Sequence, residues 1–120
     1  MQVLDEPIAA AIIPGWDGAI GILHDHSPLL VKLGEGKLKL EFGSSDKWFF
    51  IAGGFAQVAD NKLSILTKEA IPAEEIKAAT AEAMLKEVHE RVVTTTLEME
   101  KKNRDLNRAH VYAELAGIAK

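Results

Sequence analysis

Two imidazoles flank one carboxylate at His24-Asp25-His26, the densest group of potential metal ligands and proton carriers in this 120-residue chain. Neutral imidazole and carboxylate oxygen both coordinate divalent cations, and a catalytic zinc site uses three such protein ligands with a fourth position open. A His-x-His pair supplies part of that set, and other elements must bring the rest. The remaining histidines, His89 and His110, each sit alone in the second half of the chain and read as surface or packing residues. The chain has no cysteine, which excludes thiolate metal sites and disulfides. No nucleophile is paired with a base, and neither a P-loop nor a dinucleotide-binding glycine pattern occurs.

Gly18, five further residues and then His-x-His match the opening of the cupin metal motif. That motif continues with a Glu where this chain has Leu30 or Val31, and no later segment supplies a third His. Two imidazoles without that carboxylate make a poor metal cage. His24 and His26 are therefore read as turn or interface residues, with no catalytic residue, metal or cofactor expected. A metal enzyme of cupin type is the competing chemical reading, and stoichiometric, tightly bound metal would support it.

A second group is cationic. Lys101, Arg104 and Arg108 fall at i, i+3 and i+7, one face of a helix, with Glu98, Glu100 and Asp105 nearby. The plain reading is a solvated face. The functional one is a reversible, salt-sensitive dock for an acidic partner, since exposed ion pairs are worth only about 0–1 kcal/mol each. Net charge is −4 without a basic stripe, so no nucleic-acid partner is expected. No apolar run nears the ~18 residues of a membrane span, and the N-terminus lacks the pattern of a secretory signal.

The elements that must position these groups change character near residue 70. Eight of the nine glycines precede it, and no proline follows Pro72. A β-rich unit is expected over 1–70 and a helical hairpin over 71–120. In the first, the stretch PGWDGAIGILHDHSPLL (Pro14 to Leu30) sets glycines at three-residue spacing, which suits tight turns and close backbone approach. Ile8 to Ile13 and Trp48 to Ile51 read as strands apolar on both faces. Lys37 to Phe42 alternates as a half-buried strand, Gly43 to Asp46 turns, Gly53-Gly54-Phe55 marks a bulge or corner, and Asp60-Asn61 turns into Leu63–Leu66. Many short strands with glycine turns predict an antiparallel β-sandwich or barrel. In the second unit, Pro72 suits a first helical turn. Ala78, Ala81, Leu85, Val88 and Val92 make one stripe, and Leu106, Ala109, Ala113 and Ala116 make another. The β-branched run Val92 to Thr96 disfavours helix and predicts the bend between them.

Val3-Leu4-Asp5-Glu6, then PGWDGAIGILHDHSPLL, then Ile51-Ala52-Gly53-Gly54-Phe55, then Asn61 to Leu66 follow the order and spacing of one family. The chain resembles the epsilon subunits of F-type ATP synthases, counterparts of the mitochondrial delta subunit. The likeness covers nearly the whole chain and is most specific through residue 70. It implies an α+β protein, a ten-stranded sandwich followed by an antiparallel two-helix hairpin. It further implies a non-catalytic rotor part that grips the gamma subunit, sits on the c-ring, and opposes ATP hydrolysis through helices that reach the alpha/beta hexamer. The location implied is peripheral, on the cytoplasmic side of a bacterial inner membrane. A β-sandwich adaptor unrelated to the synthase is the alternative.

By position, the resemblance places Trp16, Asp17 and Ala19 against the c-ring. It places His24, His26 and Ser27 near gamma or the ring, and Lys101, Arg104 and Arg108 against acidic alpha/beta loops. Three departures follow. Only Met1 and Gln2 precede Val3, so a truncated first strand is expected, leaving nine strands or an exposed edge. Ala19 stands where the family often has Glu. Ile76-Lys77-Ala78-Ala79-Thr80-Ala81 lacks the Asp and Arg of the family's ATP-binding motif, so no specific nucleotide site is expected.

Overall fold

Leu33 lies opposite Gly54 and Glu35 opposite Ala52 on the two longest strands, and the ladder skips Gly34 and Gly53 between them. The computed structural model describes the backbone of residues 2–118 and the side chains of residues 7–118; Met1 lies outside the described residues. Seven strands run β1 (Gln2–Pro7), β2 (Ala10–Gly15), β3 (Gly18–Leu23), β4 (Leu29–Glu41), β5 (Asp46–Ala59), β6 (Lys62–Thr67) and β7 (Ala70–Pro72). A 3-10 turn (Ala73–Glu75) and the helices α1 (Ala78–Glu90) and α2 (Thr96–Ile118) follow. All pairings are antiparallel, in the order β1-β6-β5-β4-β2-β3, with β7 on β5.

The skipped glycines are where the sheet bends. Before the bend in β4 the core takes Leu33, and after it Leu38 and Leu40; in β5 it takes Ile51 before and Ala56 and Val58 after. Successive strand residues face opposite sides, so this exchange of odd for even positions means that each strand changes its inward face at the bend. Gly53 and Gly54 have φ of 75° and 112°, backbone that side-chain-bearing residues rarely adopt. A Cβ on Gly54 would also strike the Leu66 carbonyl oxygen. The Gly53 carbonyl accepts the hydroxyl of the fully buried Thr67 at 2.6 Å, which gives that buried hydroxyl an acceptor.

Ile13, Leu38 and Leu40 from one side of the bend join Val58, Leu63 and Ile65 from the other in a single buried cluster. The two arms of the sheet therefore face each other as a sandwich. Among the described residues the strands number seven rather than ten or nine, because β4 and β5, at 13 and 14 residues, each run unbroken through both arms. The sheet ends on β1, which among the described residues pairs with β6 alone, from Gln2–Thr67 to Pro7–Lys62. β2, apolar on both faces, is buried unevenly: Ala11, Ile13 and Pro14 are inside and Ile12 is exposed. In β5 both Phe50 and Ile51 are fully buried, so that strand is covered on both sides.

The chain divides into two compact units, residues 1–72 and 73–120. In the second, Pro72 does not open a helix. It closes β7 opposite Phe49, and α1 starts six residues later, at Ala78. Residues 92–95 are non-helical, as the β-branched run predicts. α2 then begins on a reciprocal cap: the Glu98 N–H donates to Thr95 Oγ1 at 3.1 Å, while the Glu98 carboxylate accepts the Thr94 N–H at 3.1 Å. This is the logic of a capping box with the return bond one residue early. Ala81 and Val88 are buried on α1, and Ala109, Val111, Leu115 and Ala116 on α2. Ala78, Val92 and Ala113 of the expected stripes are exposed.

Candidate functional site

The β2–β3 hairpin carries one group of candidate residues at each end. At the turn, Gly15 packs so closely against the Gly18 carbonyl and Ile20 that a Cβ there would meet atoms at 2.6 and 2.8 Å. Gly18 has φ 141°. These two glycines allow a tight reversal that leaves Trp16 and Asp17 on its tip. Trp16 is 67% exposed, an unusual state for so large an apolar side chain. Its backbone is nonetheless fixed, because the Trp16 N–H donates to the Lys32 carbonyl at 2.9 Å. The Lys32 ammonium lies 4.2 Å from the centre of the indole. Asp17 and Ala19 are exposed beside it.

His24, His26 and Ser27 lie at the other end of β3. Five steps of strand separate Gly18 from Leu23, about 17 Å, so the structure does not bring the two groups together. Asp25 holds the second group in place. It has φ 63°, and its N–H and carboxylate both bond to the Asn61 side chain. His26 Nδ1 donates to the Ser27 carbonyl at 2.7 Å, which requires the proton on that nitrogen. His24 lies 3.6 Å from the Asp25 carboxylate. Among the described residues no group of three His, Cys, Asp or Glu side chains could hold a metal.

In the helical unit Lys101 and Arg104 are exposed on α2, while Arg108 is half-buried. Spacing alone misses the cation that bridges the two helices. Arg91, at the C-terminal cap of α1, donates to Glu87 at 2.7 Å and across to Asp105 of α2 at 2.9 Å. Its bonds to Glu87 and then Asp105 raise its pKa above that of an ordinary guanidinium. The Asp105 carboxyl is held below its ordinary 3.8, chiefly by the Arg91 hydrogen bond, with smaller attraction from Arg104 and Arg108. The Lys102 ammonium reaches the Arg91 carbonyl at 3.4 Å.

Both units also expose apolar side chains. Leu30, Phe55 and Leu66 stand on neighbouring strands, with Phe55 directly opposite Leu66. Val92, Leu97 and Met99 are exposed around the connection between the helices.

Residues 1–73, which hold the bent sheet and both ends of the hairpin, match the family model described as ATP synthase, Delta/Epsilon chain, beta-sandwich domain. The chain belongs to the ATP synthase delta/epsilon family. An ATP synthase epsilon chain of Emiliania huxleyi chloroplasts is 35% identical over 117 residues, 98% of this chain and 90% of that one. The ATP synthase epsilon chain of Pelotomaculum thermopropionicum is 34% identical over 95 residues, 79% of this chain and 71% of that one. The similarity to the Nitratidesulfovibrio vulgaris epsilon chain is higher, 42%, but covers 62% of this chain and only 55% of that relative. Among solved structures, a chain of the Euglena gracilis mitochondrial ATP synthase, in a complex of OSCP, F1 and c-ring, superposes with a TM-score of 0.78 at 28% identity. That match covers 94% of this chain and 71% of the other. A chain from the Tetrahymena thermophila central stalk and c-ring has the same fold, with a TM-score of 0.64 at 16% identity. Members of this delta/epsilon family are subunits of an enzyme complex that works at a membrane.

Proposed function

We propose that this chain is the epsilon subunit of the central stalk in an F-type ATP synthase. In this reading it performs no chemistry of its own. Its sandwich grips the gamma subunit, the Trp16–Ala19 tip meets the c-ring, and the helices oppose ATP hydrolysis by engaging the alpha/beta hexamer. Its place is peripheral, on the cytoplasmic face of a bacterial inner membrane. His24, His26 and Ser27, about 17 Å from the tip, then belong to a separate contact, with gamma. The observation that carries the reading is the family match over residues 1–73, in a unit that exposes Leu30, Phe55 and Leu66 on neighbouring strands. Adjacent exposed apolar side chains mark partner surfaces.

The test is reconstitution with gamma and the alpha/beta hexamer, then ATPase assays with the full chain and with a chain ending at residue 72. Both forms should co-purify with gamma, and only the full chain should lower hydrolysis. Failure of the full chain to associate with gamma would favour an unrelated adaptor. Equal hydrolysis with the two forms would remove the regulatory role from the helices.

A further inference from the structure

We propose that Lys32 is the positioning residue of the hairpin tip, and that Lys32 and Trp16 act as one contact element for a partner loop offering carboxylate or carbonyl oxygens. The partner assignment rests on the reading in which this tip meets the ring.

The backbone around Trp16 is already constrained. Gly15 is wedged against Gly18 and Ile20, and a Cβ on Gly34 would sit 3.5 Å from the Gly15 carbonyl and 3.7 Å from the Trp16 Cα. The Trp16 N–H is bonded to Lys32. What these contacts leave free is rotation of the indole, which projects into solvent. Lys32 acts on that freedom. It sits sixteen positions further along, on β4, yet its ammonium lies 4.2 Å from the ring centre. A cation over an indole face is attracted by the ring quadrupole, and Trp is the strongest such partner.

Among the described residues no carboxylate pairs with Lys32. An ammonium has three hydrogens to donate, so it still has donors for an arriving oxygen. The tip therefore presents a held, flat apolar surface beside a solvent-exposed cation that has no carboxylate partner among the described residues. That combination fits a loop that places an acceptor on Lys32 and its backbone or an apolar side chain on the indole. A held aromatic also loses less freedom on binding than a swinging one.

The test uses full-length chain with Trp48→Phe, so that Trp16 is the one fluorophore of its kind. Lys32→Met keeps the apolar stem and removes the charge; Lys32→Arg restores a cation over the ring. Lys32→Met should raise acrylamide quenching and lower the anisotropy of Trp16, and Lys32→Arg should return both to the parent values. Binding to the gamma–c-ring assembly should weaken by roughly two- to fivefold in Lys32→Met, the range of an exposed cation–π pair. Trp16→Ala should weaken it at least as much, and adding Lys32→Met to Trp16→Ala should then cost little more.

Unchanged quenching and anisotropy in Lys32→Met would overturn the positioning role. If fluorescence responds but neither Lys32→Met nor Trp16→Ala alters assembly, the contact role falls, and with it the reading that the tip faces the ring. If Trp16→Ala weakens assembly and Lys32→Met does not, the reading of the tip stands and the joint element is refuted.

Discussion

Asp25 and Asn61, 36 positions apart, exchange two hydrogen bonds: the Asn61 side-chain oxygen accepts the Asp25 N–H, and the Asn61 amide donates to the Asp25 carboxylate at 2.9 Å. Both residues hold left-handed backbone, at φ 63° and 62°. Asn and Asp enter that region more readily than other side-chain-bearing residues because their short polar chains can bond nearby. The pair ties the β3–β4 connection to the β5–β6 turn, and so fixes where His24, His26 and Ser27 lie.

That geometry separates two contributions. Asn61→Gly loses the side-chain bonds but relaxes the backbone; Asn61→Ala loses the bonds and keeps the strain. Both should destabilise, by about 1–3 kcal/mol, with Ala worse than Gly by about 1 kcal/mol. Combined with Asp25→Ala, Asn61→Ala should be less than additive. Urea unfolding followed by tryptophan fluorescence measures all four. Strict additivity would mean that the two side chains do not stabilise each other.

The bend makes a sharper prediction. Gly54→Ala must place a methyl group on the Leu66 carbonyl oxygen while holding φ 112°. Neither β5 nor β6 can yield without breaking its ladder. We expect a loss of roughly 4 kcal/mol or more, enough to abolish soluble β-unit against a typical total of about 5–15 kcal/mol. Gly21→Ala is the control. A Cβ there meets nothing within 4 Å, so stability should change by less than about 1 kcal/mol. Comparable thermal unfolding of the two variants would refute the account of the bend.

Local chemistry made the turns and the helical break readable. Pro14–Gly18, Gly43–Asp46 and Asp60–Asn61 carry residues that suit reversals, and Val92–Thr95 resists helix. The family order of motifs led to the sandwich and hairpin. Long-range effects were not readable. The first half of β4 is not legible locally, because Gly34 and Gly36 interrupt its alternation; Gly36 is there because a Cβ would meet Pro14 at 2.9 Å. β7 was missed because three residues, Ala70–Pro72, form a strand only through pairing with Phe49, Phe50 and Ile51. Thr95-x-x-Glu98 was a usable local signal for the start of α2. Nothing local joins Asp25 to Asn61, Trp16 to Lys32, or Arg91 to Asp105.

The Arg91–Asp105 bond predicts a pH response in the helical unit. The folded-state pKa of Asp105 is depressed. Its stabilising contribution is thus complete above its unfolded value and disappears as pH falls through the lower folded value. The margin of the wild type over Asp105→Asn in thermal melts of the helices, followed by far-UV circular dichroism, should be constant from pH ~7 to ~5 and shrink below about pH 4. A margin that survives undiminished at pH ~2 would show that the carboxylate charge is not what joins the two helices.

Lys101 and Arg104 are the exposed members of the cationic face, whereas Arg108 is half-buried and engaged within the chain. Reversing Arg108 would disturb folding as well as docking, so the informative variant is Lys101→Glu with Arg104→Glu. Arg104 lies 3.8 Å from Asp105, and the new carboxylate would repel it weakly across solvent. The helix should survive, as circular dichroism can verify. If this face docks on acidic loops of the hexamer, losing two ion pairs at about 0–1 kcal/mol each should raise ATP hydrolysis by the reconstituted complex about two- to fivefold at low salt. The difference should narrow as ionic strength rises and the Debye length falls below about 8 Å. Hydrolysis that stays at the wild-type level at low salt, with the helix intact, would return these cations to the role of a solvated surface.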